Sequence, residues 1–149
     1  MSETTAPLPA AASAGAESLT AGRRRARIAL RGLEVLLALF YGIASALPKL
    51  IAHPSAAEGF DKLGWGHTGM YAIGVLELAG AIALLVPVLR SVAAISLGAL
   101  MVGAFIVTIV AMDGENAATP LIMLVPLGLI AWARRDSLKD LLRLVRRTA

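Results

Sequence analysis

The sequence predicts an all-α integral membrane protein: a four-helix bundle with a disordered N-terminal tail and a C-terminal amphipathic helix. Three observations carry that prediction. Of the 149 residues, 58% are hydrophobic and the mean hydropathy is +0.76, well above the composition of ordinary soluble domains. The apolar residues gather into four long stretches separated by polar segments. The basic residues are sorted to one side of those stretches, as the positive-inside rule requires.

The stretch with the most information is residues 68–86, TGMYAIGVLELAGAIALLV, apolar throughout except for Glu77 at its centre. Nineteen residues at about 1.5 Å each reach roughly 28 Å, the thickness of a bilayer's hydrocarbon core. Glu77 then lies near the midplane. A charged carboxylate there costs about 2.5–3.5 kcal/mol on insertion scales, so it is expected to face protein or trapped water. Gly74 and Ala81 share its face and Gly80 lies close by, which lets a partner helix approach.

Residues 1–22 are rich in Ala, Ser, Thr, Glu and Pro and are expected to be a disordered tail; residues 23–135 form the membrane domain. The basic cluster Arg23, Arg24, Arg25 and Arg27 follows this long polar tail, unlike the start of a cleaved signal peptide, so the first span is expected to be an uncleaved anchor. That span covers about residues 28–47 and can continue to residue 51. Arg31 and Glu34, three apart near one end, are expected to form an interfacial ion pair. Tyr41 lies deeper, at about the depth of Glu77, where its hydroxyl needs a partner. Pro48 predicts a kink or the end of the helix beside Lys49.

Residues 49–67 form the one sizeable loop, with Phe60, Leu63 and Trp65 placed for a short re-entrant or surface segment. His53 and His67 are fourteen apart with Glu58 and Asp61 between them, a spacing that matches no zinc motif. Only Val88 and Leu89 separate Pro87 from Arg90, so spans two and three are expected to be an antiparallel hairpin. Span three, residues 91–112, carries the small-xxx-small pairs Ala94/Gly98 and Ala99/Gly103, read as helix-packing positions. Residues 113–116 make an acidic turn, and Thr119-Pro120 reads as an N-cap followed by proline at the first helical position. Span four, residues 120–133, is short, with Pro126 predicting a kink.

In residues 136–149, Asp136 or Ser137 can cap a last helix whose Leu138, Leu141, Leu142 and Val145 form one apolar stripe bordered by Lys139, Arg143, Arg146 and Arg147. That pattern suits a helix on anionic headgroups, and equally a polar partner protein. Twelve of the fourteen Lys and Arg residues lie at the N-terminal flank, at Arg90 or at the C-terminal flank. Both termini are therefore expected in the cytoplasm of a multi-pass protein of the plasma or inner membrane. The basic charge is thus a topology signal, not a nucleic-acid footprint.

Four segments carry a resemblance. YGIASALPKL (41–50), GFDKLGW (59–65), IGVLELAGAIALLVPVLR (73–90) and LGALMVGAF (97–105) resemble the DoxX family of small four-helix membrane proteins, especially its DoxX-like branch. The resemblance covers about residues 27–135. It implies a link to quinol oxidation and thiosulfate:quinone oxidoreduction, or to oxidative and thiol stress.

Two functions follow as alternatives. One is an accessory subunit of a membrane redox complex, with a quinone or quinol held near Tyr41, Lys49 and Glu77 and an oxidoreductase as partner. Glu77 would be its proton acceptor and Tyr41 its donor. The chain has no cysteine and both histidines lie in or beside the loop, so no intrinsic cofactor is expected. The redox centre would belong to a partner or to the quinone. The other alternative is a non-catalytic scaffold or small transporter in which Glu77 is a structural contact to Tyr41 or Lys49.

Overall fold

The computed structural model describes residues 10–114 and 116–148, and all of their regular structure is helical. The chain divides into Met1–Gly32 and Leu33–Ala149. The first unit holds most of helix α1, Ala10–Leu39. Residues 10–22, expected to be disordered, are helical, in keeping with a segment that contains several alanines, the strongest helix former. Residues 1–9, the rest of that expected tail, lie outside the described residues.

In the second unit α1 runs into a π-helical segment, Phe40–Ala46, and then α2, Leu47–Leu50. Proline explains the π turn. Pro48 has no N–H to donate, and its ring would crowd the carbonyl four residues back. The helix widens ahead of it, with Leu47 N–H bonding to Gly42 O, five residues back. The kink or stop expected at Pro48 is thus a local widening, and the helix continues through Lys49.

The expected loop contains α3, Pro54–Lys62, with proline in its first turn and Lys62 in its last. Gly64 (φ +70°) and Gly66 (φ +55°) turn the chain from it into α4, Gly66–Leu85. A four-residue connection, residues 86–89, leads to α5, Arg90–Ala111, and these two helices pack against each other as the short connection requires. Helix α6, Ala118–Ala133, begins before Thr119, with Ala117 as its N-cap residue. Pro120 therefore sits inside the first turn, where a missing N–H does no harm. Helix α7, Arg135–Thr148, follows at once and packs on α5 and α6. Asp136 lies in its first turn rather than ahead of it. The Lys139 ammonium, 2.8 Å away, holds its carboxyl below the usual range.

Leu19–Leu50, Gly66–Leu85 and Arg90–Ala111 are long and apolar enough to cross a membrane. Helix α6 is a shorter apolar helix of 16 residues, about 24 Å long. The surface agrees with lipid as the solvent: Ile43, Val75, Ile106, Val110, Ile122 and Val125 are all exposed. The core is Leu37, Tyr41, Ala81, Leu84, Ala94, Leu97, Leu127 and Ile130, drawn from α1, the π segment, α4, α5 and α6.

Small residues set the helix spacing. A Cβ on Gly80 would lie 2.6 Å from Leu97 Cδ2 and 2.7 Å from Leu97 Cγ, and Leu97 is fully buried. Gly80→Ala is expected to destabilise by about 1–3 kcal/mol through overpacking between α4 and α5. Chemical unfolding in detergent micelles checks this; unchanged stability would mean that Leu97 has room to move.

Candidate functional site

Glu77 is where its sequence context places it, buried on α4 beside Gly74 and Ala81. Gly74 brings the partner close. A Cβ there would meet Lys49 Cβ at 3.0 Å and Leu50 Cδ2 at 3.2 Å, so the missing side chain lets α2 lie a few tenths of an ångström nearer α4 than a larger residue would. Lys49 Nζ then reaches Glu77 Oε2 at 2.7 Å. The ammonium also donates to Ser45 O and Ser45 Oγ, both at 3.0 Å. Three N–H groups thus meet three acceptors.

The π turn contributes to this alignment. In a regular α-helix Tyr41 and Lys49, eight residues apart, would differ by about 80° around the axis. One inserted residue cuts that to about 20°, bringing the two onto one face. Tyr41 is fully buried, with its ring edge-on to Phe40 at 5.5 Å between centroids. Its hydroxyl has no hydrogen-bond partner among the described residues. An unsatisfied buried hydroxyl costs about 1–3 kcal/mol, so its persistence in a site calls for a reason.

Tyr41, Ser45, Lys49 and Glu77 all line one cavity of about 740 Å³. Its remaining walls are mainly apolar, among them Phe40, Phe60, Leu63, Trp65, Ile73 and Met123. The size and lining match those of small-molecule sites: a largely apolar chamber with a few converging polar groups. Ala99 and Gly103, read from the sequence as a packing pair, line this cavity too. A Cβ on Gly103 would meet nothing within 4 Å, so these positions leave space rather than close it, whereas Gly98 lies against Leu124 of α6. A second cavity of about 370 Å³ adjoins the first at Ser45, Lys49, Phe60 and Leu63. The three residues singled out from the sequence therefore come together, and Ser45, Phe60 and Trp65 join them. Ser45 had a signal, since it stands four residues before Lys49 on a helix.

At the other end of α4 and α5 lies a cluster that the sequence reading missed. Glu34, expected in an interfacial pair, is 0% exposed. Its Oε1 accepts from Arg134 Nε at 2.7 Å, and its Oε2 lies 3.3 Å from Arg90 Nε. Ser91, also buried, lies 3.5 Å from Ala131 O. The carboxylate thus ties α1 to the start of α5 and the end of α6. The clue was topological: alternating spans put residues 34, 90 and 134 at one end of the helices.

No curated protein and no solved structure matches the chain. A family model does, over residues 32–131, which takes in the core helices, the Lys49–Glu77 pair and the cavity. With its apolar helices and lipid-compatible surface, the chain is a multi-pass membrane protein, and it belongs to the DoxX-like family.

Proposed function

We propose that the chain is an accessory subunit of a quinone-linked redox complex in the plasma or inner membrane. In this reading α1, α4, α5 and α6 are the four spans of a bundle, with both termini cytoplasmic, and a quinone or quinol occupies the larger cavity. One observation carries the reading: a fully buried, unpartnered Tyr41 hydroxyl beside the same apolar chamber as Glu77. Among the described residues Glu77 makes its hydrogen bond through Oε2, leaving Oε1 for a ligand. Lys49, with every N–H already engaged, orients the carboxylate rather than binding the ligand itself.

The donor and acceptor set fits such a ligand. Tyr41 O–H donates to a carbonyl oxygen, Glu77 Oε1 accepts a quinol hydroxyl proton, and Phe40, Phe60 and Trp65 give a flat ring aromatic walls. A quinol, when bound, would give two electrons to the partner oxidoreductase and release two protons, one to Glu77 and the other to the partner. The chain's own part is to hold the ring, exclude water with the apolar walls and take a proton at Glu77.

Trp65 lines the cavity and Trp132 is the other tryptophan, so a Trp132→Phe protein reports on the site through Trp65 alone. In lipid nanodiscs a short-chain quinone is expected to quench Trp65 saturably. Tyr41→Phe and Glu77→Gln should each weaken the apparent affinity about tenfold, the value of one good hydrogen bond. Quenching that rises linearly without saturation would sink the quinone site. Crosslinking in native membranes, followed by mass spectrometry, should recover an oxidoreductase; recovery of the chain alone would remove the accessory role.

A second reading is favoured by the closed geometry at Lys49. An ammonium saturated by Ser45 and Glu77 is also what a non-catalytic scaffold needs to fix α2 against α4.

A further inference from the structure

Helix α7 starts at Arg135, and a single residue, Arg134, separates it from α6. Arg134 is held by the buried Glu34 carboxylate, so the junction from which α7 departs is fixed. Trp132, 67% exposed at the end of α6, carries the Arg135 guanidinium over its ring at 5.5 Å. An exposed tryptophan at the end of an apolar helix, stacked by a cation, marks headgroup depth. Helix α7 therefore begins at the membrane interface.

Its residues are sorted by azimuth. At about 100° per residue, Leu138, Leu141, Leu142, Leu144 and Val145 fall within an arc of about 160°. Leu138 and Leu141 are part-buried, whereas Leu142, Leu144 and Val145 remain about half exposed although α7 packs on α5 and α6. Arg135 and Arg146 border the apolar arc, with Lys139 next to them. The Lys139–Asp136 pair is open to water on both sides, 66% and 78% exposed, so it holds the lysine only weakly. Long basic side chains bordering an apolar arc at headgroup depth can reach phosphates while the leucines stay among acyl chains.

We propose that α7 is an interfacial helix that binds anionic phospholipid headgroups through Arg135, Lys139 and Arg146, with Leu142, Leu144 and Val145 seated in the membrane surface. The chain then senses the anionic lipid content of its own leaflet at the end opposite the Lys49–Glu77 cavity. Charge selects this occupant over a zwitterionic surface, because each basic residue near an anionic leaflet is attracted by about 1 kcal/mol, about fivefold.

The absence of cysteine makes the test direct. Single Leu142→Cys, Val145→Cys and Asp136→Cys proteins are spin-labelled and placed in nanodiscs of phosphatidylcholine, with or without phosphatidylglycerol; Asp136 is exposed and lies opposite the apolar arc. In anionic discs the labels at 142 and 145 should be relaxed by membrane-dissolved oxygen and the label at 136 by an aqueous nickel chelate. Without anionic lipid, or with Arg135→Glu, Lys139→Glu and Arg146→Glu combined, the lipid-engaged population reported at 142 and 145 should fall at least about tenfold. Equal chelate access at 142 and 136 in both discs would overturn the proposal. So would lipid depth that ignores headgroup charge, or dipolar broadening between labels on two copies, which would make a second chain the occupant. Helical content by circular dichroism, compared across variants, separates loss of binding from loss of the helix.

Discussion

Glu34→Ala destabilises the protein by about 3–5 kcal/mol, the loss expected when one partner is removed from a buried ion cluster. Two guanidiniums, Arg90 at 13% and Arg134 at 20% side-chain exposure, share this carboxylate. Removing it leaves like charges facing each other with their common counter-ion gone. Removing either arginine leaves an ion pair, so Arg90→Met or Arg134→Met should cost less, about 1–2 kcal/mol. Denaturant titration in detergent, followed by circular dichroism, measures all three. The ordering is the test: Glu34→Ala no worse than Arg134→Met would show that water solvates the cluster. A second consequence concerns α7, whose junction is held by Arg134. Loss of Glu34 should loosen that junction, and the label at position 142 should report more mobility.

This cluster shows where sequence reasoning stops. Glu34 was read through its near neighbour, because three residues apart on a helix is a contact that periodicity reveals. Its partners Arg90 and Arg134 lie 56 and 100 residues further on, and only the folded helices bring them to it. Glu77 is the opposite case. Its burial and the small residues on its face follow from one apolar stretch, and the structure keeps both. The face of Lys49 was hidden because Pro48 could have ended the helix, kinked it or widened it. The π turn, set by carbonyl geometry, decides among these. Helix α3 was masked by Gly59, Gly64 and Gly66, which read as turns, although Pro54 at its start and Lys62 near its end are ordinary boundary signals. The cavity was least legible. Ala94/Gly98 and Ala99/Gly103 have one pattern and two uses, because what faces a small residue depends on the neighbouring helices.

Lys49→Met should be as damaging as Glu34→Ala, about 3–5 kcal/mol at neutral pH, because it strands a carboxylate that is only 3% exposed against an apolar chamber. Glu77→Leu alone leaves the ammonium with its two Ser45 acceptors and 18% side-chain exposure, so it should cost less, about 1–3 kcal/mol. The double variant Lys49→Met/Glu77→Leu removes both charges and should recover to within about 1 kcal/mol of the parent, as buried pairs replaced by apolar residues commonly do. That recovery separates the two functional readings. If the ion pair is a scaffold contact, the stable double variant retains whatever the membrane complex does. If Glu77 Oε1 is the ligand's acceptor, the double variant folds, keeps its cavity and binds quinone about tenfold more weakly in the Trp65 quenching titration. Unfolding curves and quenching titrations on the same preparations decide between them, because stability and binding then move in opposite directions.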